Sequence, residues 1–469
     1  MICTFFALNS LAQNGYRINF KISGLKDTTT YLGYYYGEQT YVKDTAQVDS
    51  KGEFQFSGNT VLPHGVYFLV LNKTRVFEMV ISYDQQFSIE SSTEDYVRNM
   101  KVDGDVDNRL FFENMLFNLA RNQEAAPYVG VIKDSTATED MKKEARASLQ
   151  KINEKVLAYQ NDLIANNPKT MTARLLNATR PITVPDPPLK ADGSIDSTFQ
   201  YRYYKEHFFD NFNLADDALI RLPKPLYAEK LNEYLEKLFI PHPDTIIKAI
   251  DKLASQVKNN PETYKYLVWN AVTAYQNPTI MGLDEVYVYL YDTYFASGEM
   301  DFWVSNSIKT SMKDYADKLR LSLVGQTAKN LIMQDQNLVL QSMYDIKKKY
   351  TIIFFFDPDC GHCKVETPKL VDFYNKNKDR FSIEVYAVSA DTSMMKMRDY
   401  VKEMKMPWIT VNGPRSAVGN YQKLYDAFST PTLYIIDEKK KIIAKKPPIE
   451  RLEDFFVNHE KMRKRLSGS

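Results

Sequence analysis

One stretch near the C-terminal end, TIIFFFDPDCGHCKVETPKL at residues 351–370, constrains the fold of this chain most. It opens on β-branched and aromatic residues only, which is typical of a strand covered on both faces. A segment of helical periodicity follows, CKVETPKLVDFYNKNK, and then a second apolar run, FSIEVYAVSA. Strand, helix and strand in this order predict a parallel β-α-β unit. Cys360 and Cys363 are therefore expected at a strand-to-helix turn.

This expected position determines the chemistry of the two cysteines. Free backbone N–H groups and the positive end of the helix dipole stabilise an anion at a helix start, which favours a thiolate at Cys360. Cys360 is therefore the predicted nucleophile. Cys363 comes one helical turn later and is more enclosed by the helix. It is the predicted resolving thiol, which attacks a mixed disulfide at Cys360 and releases the product.

Charged neighbours act on the Cys360 thiolate in opposite directions. A partly protonated His362 imidazole would favour the thiolate and make the pair more oxidising. The negative charges of Asp357 and Asp359 would disfavour it. The sequence therefore predicts no particular reduction potential for the pair.

Other uses of a C-x-x-C pair are less consistent with the rest of the chain. A structural zinc site needs a second pair of ligands, and the chain after Cys363 holds no cysteine and only His459. The third cysteine, Cys3, lies in the N-terminal segment, so no disulfide framework is expected. Two inert core cysteines are the remaining alternative. We predict no metal and no cofactor other than a redox-active Cys360–Cys363 disulfide.

These features together resemble the thioredoxin fold and, within it, the periplasmic thiol-disulfide oxidoreductases that include cytochrome c-maturation reductases. In CGHCKVETP the cysteine pair is followed by Glu366 and by Pro368, where the active-site helix of this family is kinked. In STPTLYIID, Thr430 and Pro431 match the cis-proline loop of the family, which binds the substrate backbone. The resemblance covers residues 322–469 and implies that Glu366 tunes the cysteines or relays protons for them.

The chain also departs from the family. Asp359 stands where a Trp is usual, and Phe354 stands where thioredoxin itself buries an acid, so Glu366 is the leading candidate for proton handling. A peroxiredoxin requires Pro and Ser or Thr at two positions before its reactive cysteine, and Ile353 and Phe356 stand there instead. The sequence therefore disfavours a peroxidase. The predicted supporting residues of the site are Gly361, His362, Asp359 and Pro368.

Two different regions precede this module. Short alternating runs separated by Gly, Asn and Asp predict an all-β, sandwich-like domain over residues 16–104. Helical periodicity with proline at the joints predicts an α-helical domain over residues 107–318. The α/β thioredoxin-like domain is expected over residues 322–469, with a lead-in that resembles the short hairpin and helix of the family. The upstream regions resemble uncharacterised domains that often precede exported thioredoxin modules.

The N-terminal segment MICTFFALNSLAQNG is apolar and small, and its Ser-Leu-Ala before Gln13 resembles a signal-peptidase site. Residues 1–12 are therefore predicted to be a signal peptide, truncated because the positive n-region is missing. An ordinary N-terminal strand is the alternative. No later run approaches the roughly 20 apolar residues of a membrane helix. The mature protein is expected in the periplasm or cell envelope, without a transmembrane segment.

Two functions from different classes fit these observations. The first is an exported enzyme that reduces, oxidises or isomerises disulfides of protein substrates and exchanges electrons with an envelope redox partner. The second is an envelope binding or scaffold protein, whose upstream domains bind a partner or polysaccharide while the thioredoxin module is accessory. The net charge of +1 gives no reason to expect nucleic acid as a partner.

Overall fold

The computed structural model describes residues 15–189 and 192–467, so the predicted signal peptide lies outside the described residues. The chain forms two compact units. The first takes the chain up to Leu238 together with Ala254–Leu267, and the second takes Phe239–Leu253 and the chain from Val268 on. Because the helical region contributes to both units, the domain boundaries given above stay predictions.

The first unit begins with two antiparallel-rich sheets. Their strands are β1 (Tyr16–Ser23), β2 (Thr28–Tyr36), β3 (Gln39–Val48), β4 (Glu53–Gly58), β5 (Gly65–Leu71), β6 (Thr74–Ile81), β7 (Gln86–Ser92) and β8 (Lys101–Asp103). The strand orders are β4-β1-β7-β8 and β3-β2-β5-β6. Burial alternates along β1, which places Ile18, Phe20 and Ile22 on the covered face. The predicted N-terminal β region is thereby confirmed.

Helices make up the middle of the chain, as predicted. They are α1 (Val106–Lys133), α2 (Glu139–Asn166), α3 (Met171–Ala178), α4 (Phe199–His207), α5 (Leu226–Lys237), α6 (Pro243–Val257), α7 (Pro261–Gln276), α8 (Asp284–Leu290) and α9 (Asn306–Arg320). Asp105 caps α1 by accepting hydrogen bonds from the backbone N–H groups of Asp107 and Asn108. The proline-rich residues 180–188 form neither helix nor strand, as expected of residues that lack a backbone donor.

The C-terminal part is a mixed α/β fold around one sheet. Its strands are β9 (Ile332–Asp335), β10 (Leu340–Ser342), β11 (Tyr350–Phe356), β12 (Ile383–Ser389), β13 (Ile409–Ser416), β14 (Thr432–Asp437) and β15 (Ile442–Lys445), and its helices are α10 (Gly361–Phe381), α11 (Met394–Glu403), α12 (Tyr421–Tyr425) and α13 (Leu452–Ser467). The strand order is β10-β9-β13-β12-β11-β14-β15. β11 pairs in parallel with β12 and antiparallel with β14, which confirms the predicted β-α-β unit and thioredoxin-like fold.

The central strand β11 is buried along its whole length, because both faces of the sheet are covered. Ile352, Phe354 and Phe356 belong to the apolar core that includes residues of α10 and α13. Ile353 and Phe355 point to the opposite face and pack in a second core. This two-sided burial explains the unbroken apolar composition of the strand.

One expectation for this region is wrong. The hairpin of β9 and β10 is present, but the helix predicted between the hairpin and β11 is only a single 3₁₀ turn over Met343–Asp345. β10 ends at Ser342 and β11 begins at Tyr350, so too few residues remain for an α-helix of several turns. Of the helices in the described part of the chain, none has the length and apolar composition needed to cross a membrane.

Candidate active site

Cys360 is the N-cap residue of α10, just after the end of β11. Its backbone is extended, with φ −77° and ψ 120°, and its Sγ accepts a hydrogen bond from the Cys363 N–H at 3.4 Å. The same sulfur lies 3.4 Å from the carbonyl oxygen of Thr430. The Thr430–Pro431 peptide bond is cis, as the resemblance implies. The fold therefore brings the predicted nucleophile, the predicted resolving thiol and the predicted substrate-binding loop together.

The two cysteines differ in exposure. Cys360 is half-buried, whereas Cys363 is fully buried, and both are free thiols. The Sγ of Cys363 accepts a hydrogen bond from the Asp357 N–H at 3.5 Å, on the inner side of the turn. A substrate disulfide can therefore reach Cys360 first, and Cys363 only through Cys360.

Hydrogen bonds favour the thiolate form of Cys360. Partial burial by itself would raise its pKa, but donors converge on the sulfur from the Cys363 backbone and side chain, from Thr430 and from the His362 backbone. Together they hold the pKa of Cys360 below its ordinary value. His362 contributes through its backbone N–H, while its side chain is exposed, so the predicted effect of its imidazole stays a prediction.

Burial acts on Cys363 in the opposite direction. Desolvation is the largest influence on this thiol and raises its pKa to about 12, against a smaller lowering by the Asp357 N–H. At neutral pH Cys363 is therefore protonated and Cys360 is the more reactive thiolate. This asymmetry matches the roles that the sequence assigns to the two residues.

We expect iodoacetamide to alkylate Cys360 selectively in the reduced protein. Only the thiolate reacts, so the rate should rise with pH through a midpoint below the ordinary thiol pKa of about 8.5. Cys363 should stay unmodified until the pH approaches its pKa of about 12. Mass spectrometry of the peptide that contains both cysteines, after timed labelling across this pH range, measures both rates.

The Cys363→Ala variant supplies the control. It removes one donor to the Cys360 sulfur but keeps the backbone N–H, so the midpoint should move upward while alkylation stays on Cys360. A midpoint for the unmodified protein above the ordinary thiol value would contradict the proposed stabilisation of the thiolate.

A lysine balances the acidic residues before Cys360. Asp357 accepts a hydrogen bond from the Asp359 N–H at 2.8 Å, which fixes the turn. The Lys396 ammonium lies 2.5 Å from the Asp359 carboxylate and 3.1 Å from that of Asp391. The predicted opposition of Asp359 to the thiolate is thus reduced by a residue on α11. Sequence reasoning missed Lys396, because nothing in its local context marks a lysine that is brought to the site only by the fold.

The predicted proton carrier Glu366 lies on α10 but has another partner. Its carboxylate accepts a hydrogen bond from the Lys369 ammonium at 2.6 Å, and Lys369 also binds Glu450. The main influences on both thiol pKa values come from other groups. A role for Glu366 in proton transfer therefore stays a prediction. Pro368 lies inside α10, at the position of the kink in the family.

The cis-proline loop borders a cavity of about 250 Å³. Phe354 on β11, Glu366 on α10 and Pro431 of the loop all line it. The residues 446–448 that follow β15 close it. Sequence reasoning missed this segment, since Lys-Pro-Pro after a strand is an ordinary loop sequence with no chemical signature.

Three family models match the chain. The AhpC/TSA family matches residues 324–445. Two domains of unknown function match upstream, DUF4369 over residues 16–111 and DUF5106 over residues 169–317. The upstream regions are therefore uncharacterised domains, as the sequence resemblance implies.

Relatives match the C-terminal part as well. Thiol-disulfide oxidoreductase ResA of Bacillus cereus is 26% identical over 152 residues, which cover 31% of this chain and 84% of that protein. A tryparedoxin of Trypanosoma brucei brucei is 31% identical over 111 residues, which cover 24% of this chain and 74% of that protein. Among solved structures, a domain of a possible thiol-disulfide isomerase from Cytophaga hutchinsonii shares 38% identity, covering 30% of this chain and 96% of its own, with a TM-score of 0.28.

A C-x-x-C pair at a helix start, next to a cis-proline loop on a mixed sheet, is the site of a thioredoxin-like redox domain. The C-terminal part of this chain belongs to the thioredoxin-like thiol-disulfide oxidoreductases, and the protein is an oxidoreductase of that class.

Proposed function

We propose that the protein is an exported thiol-disulfide oxidoreductase that exchanges disulfides with protein substrates through Cys360 and Cys363. The observation that carries the proposal is the position of a half-buried Cys360 at the start of α10, one turn before the buried Cys363 and 3.4 Å from the carbonyl oxygen of Thr430 in the cis-proline loop. A lowered pKa at the accessible sulfur supplies a nucleophile, and a raised pKa at the buried sulfur keeps the second thiol protonated until it is needed.

In the reducing direction, the Cys360 thiolate attacks one sulfur of a substrate disulfide. The substrate S–S bond breaks, one substrate thiolate leaves, and a mixed disulfide joins Cys360 to the other sulfur. Cys363 then loses its proton and attacks the Cys360 sulfur, which forms the Cys360–Cys363 disulfide and releases the second substrate thiol. Two electrons thus pass from the protein to the substrate, and the reverse sequence oxidises a substrate dithiol.

The second step requires a proton acceptor for Cys363. Because burial raises the pKa of this thiol to about 12, it is not a thiolate before the attack at neutral pH. Glu366 is the proposed acceptor, since it lines the cavity that Pro431 also borders. The Lys369 ammonium lies 2.6 Å from its carboxylate.

The proposed substrates are proteins, bound in extended form at the cis-proline loop. The carbonyl oxygen of Thr430 lies 3.4 Å from the Cys360 sulfur and is followed by the cis bond to Pro431, so a substrate backbone would pass here. Export rests on the predicted signal peptide at residues 1–12. The proposed electron partner is another thiol-disulfide protein of the envelope.

An insulin reduction assay and a glutathione equilibrium test this function. We expect the purified protein to carry two thiols that form one reversible disulfide, and to accelerate the precipitation of reduced insulin chains. A potential near that of thioredoxin, about −270 mV, assigns the protein as a reductase, and one near DsbA, about −120 mV, assigns it as an oxidase. Absence of a reversible Cys360–Cys363 disulfide over this whole range would overturn the proposal.

A further inference from the structure

A second cavity, of about 400 Å³, shares a wall with the cavity beside Pro431. Both are lined by Lys446, Pro447 and Pro448, the segment that follows β15. The rest of the lining comes from residues 276–282, which are the loop between α7 and α8, from Phe455 on α13, and from Asp284, Tyr315, Leu319, Asp426, Lys445 and Arg451. The two cavities therefore adjoin the same short segment and lie in the same compact unit.

Hydrogen bonds hold the loop 276–282 in place. The backbone N–H of Lys445 donates a hydrogen bond to the Met281 sulfur at 3.1 Å. The Tyr315 hydroxyl lies 3.1 Å from the carbonyl oxygen of Gln276 and 3.1 Å from the side-chain oxygen of Asn277. Since both ends of the loop are fixed to strand β15 and helix α9, the cavity is formed before any ligand binds.

The chemistry of the shared wall favours side chains over backbone as the bound group. Pro447 and Pro448 have no N–H, so this segment cannot extend the sheet by pairing with another strand. The backbone N–H of Lys446 already donates to the Leu433 carbonyl at 2.7 Å. What the segment offers is the apolar surface of two proline rings.

Part of the rest of the lining is apolar and accessible. Ile280 is 45% exposed and Met281 is 43% exposed, although both are large apolar residues in a fixed loop. Phe455 adds an aromatic ring that is partly buried. A cavity of this size lies within the range of about 300–1,000 Å³ that is typical of specific ligand sites, and it has room for a large aliphatic or aromatic side chain.

We infer that this cavity is a specificity subsite for protein substrates. It binds a bulky apolar side chain of the extended segment whose cysteine reacts at Cys360, and the loop 276–282 brings the helical region into substrate selection. The occupant is the substrate polypeptide itself, because residues 446–448 line both this cavity and the one that Pro431 borders. The inference rests on the proposed function and names the substrate class: proteins with an apolar residue a short distance from the reactive cysteine.

Synthetic peptides test the subsite. Each peptide carries one cysteine as a mixed disulfide with thionitrobenzoate. A Leu-Phe pair or a Ser-Ser pair is placed about three to seven residues from this cysteine, counted along an extended backbone, and both the N-terminal and the C-terminal placements are made. We expect the best Leu-Phe peptide to have a KM about tenfold lower than its Ser-Ser partner, as burial of a large apolar side chain allows, with kcat unchanged. Ile280→Asp should remove this preference.

Ile240→Asp is the matched control, since Ile240 is 77% exposed and does not line the cavity. It should keep the full preference for the Leu-Phe peptide. Ellman's reagent, a disulfide without a peptide segment, should be reduced equally by all three proteins. If Ellman's reagent is not reduced at all, the proposed function fails; if it is reduced but the preference is absent, or survives Ile280→Asp, the subsite is overturned.

Discussion

Replacing Cys360 with serine should abolish disulfide exchange, whereas replacing Cys363 with serine should stop the reaction halfway. A hydroxyl at the start of α10 cannot form the thiolate that attacks a disulfide, so Cys360→Ser should turn over insulin no faster than the uncatalysed reaction. Cys363→Ser keeps the accessible thiol and its hydrogen bond from the backbone N–H. It should therefore accumulate a mixed disulfide between Cys360 and the substrate.

Mass spectrometry and non-reducing gels distinguish the two variants. The Cys363→Ser protein should shift by the mass of one bound substrate chain, and dithiothreitol should reverse the shift. Circular dichroism of both variants should match that of the unmodified protein, since serine replaces each cysteine with little change of volume. An active Cys360→Ser variant, or a mixed disulfide formed at Cys363, would contradict the assigned roles.

The parts of the site that the sequence could predict are encoded locally. The run TIIFFF lacks charged residues because β11 is covered on both faces. Cys360 and Cys363 follow it at the start of α10, within one helical turn of each other. Pro431 precedes another buried strand, β14, and is marked by the Thr-Pro pair before an apolar run. For the cysteine pair, the periodicity and spacing of neighbouring residues were sufficient, whereas the cis-proline loop was predicted through the family resemblance of its local sequence.

Other features depend on contacts that only the fold creates. Lys396 balances Asp359 from another helix, and Met281 reaches the strand β15 from the helical region. Strand β13 was also not predicted, because Gly413 and Pro414 interrupt its sequence. The pairing of β13 with β9 accommodates these two residues through a register shift between Val411 and Ser416. In the sequence alone, the same two residues indicate the end of a strand.

A buried ion pair is the strongest example of such a contact. The Lys445 ammonium lies 2.7 Å from the Asp284 carboxylate, and their side chains are 7% and 9% exposed. Lys445 ends β15, whereas Asp284 begins α8, so the pair joins the helical region to the sheet within the second compact unit. The Ser322 hydroxyl is a further neighbour of the ammonium, at 3.4 Å.

Replacing Lys445 with methionine should destabilise this unit strongly. The change leaves the Asp284 carboxylate buried without its cation, a situation that costs about 3–5 kcal/mol. Urea unfolding followed by circular dichroism should show a midpoint well below that of the unmodified protein. Lys446→Met is the matched control: its ammonium binds Asp426 at 3.0 Å, but its side chain is 45% exposed, so its loss should cost about 0–1 kcal/mol.

The double variant Asp284→Leu with Lys445→Met separates the ion pair from simple loss of packing. With both charges replaced by apolar groups of similar volume, most of the lost stability should return, because buried pairs contribute little beyond what apolar side chains supply. If the double variant is as unstable as Lys445→Met alone, the unpaired carboxylate is not the cause. Restored stability with an intact preference for apolar peptides would mean that the pair only holds the loop in place, and that the apolar walls select the substrate.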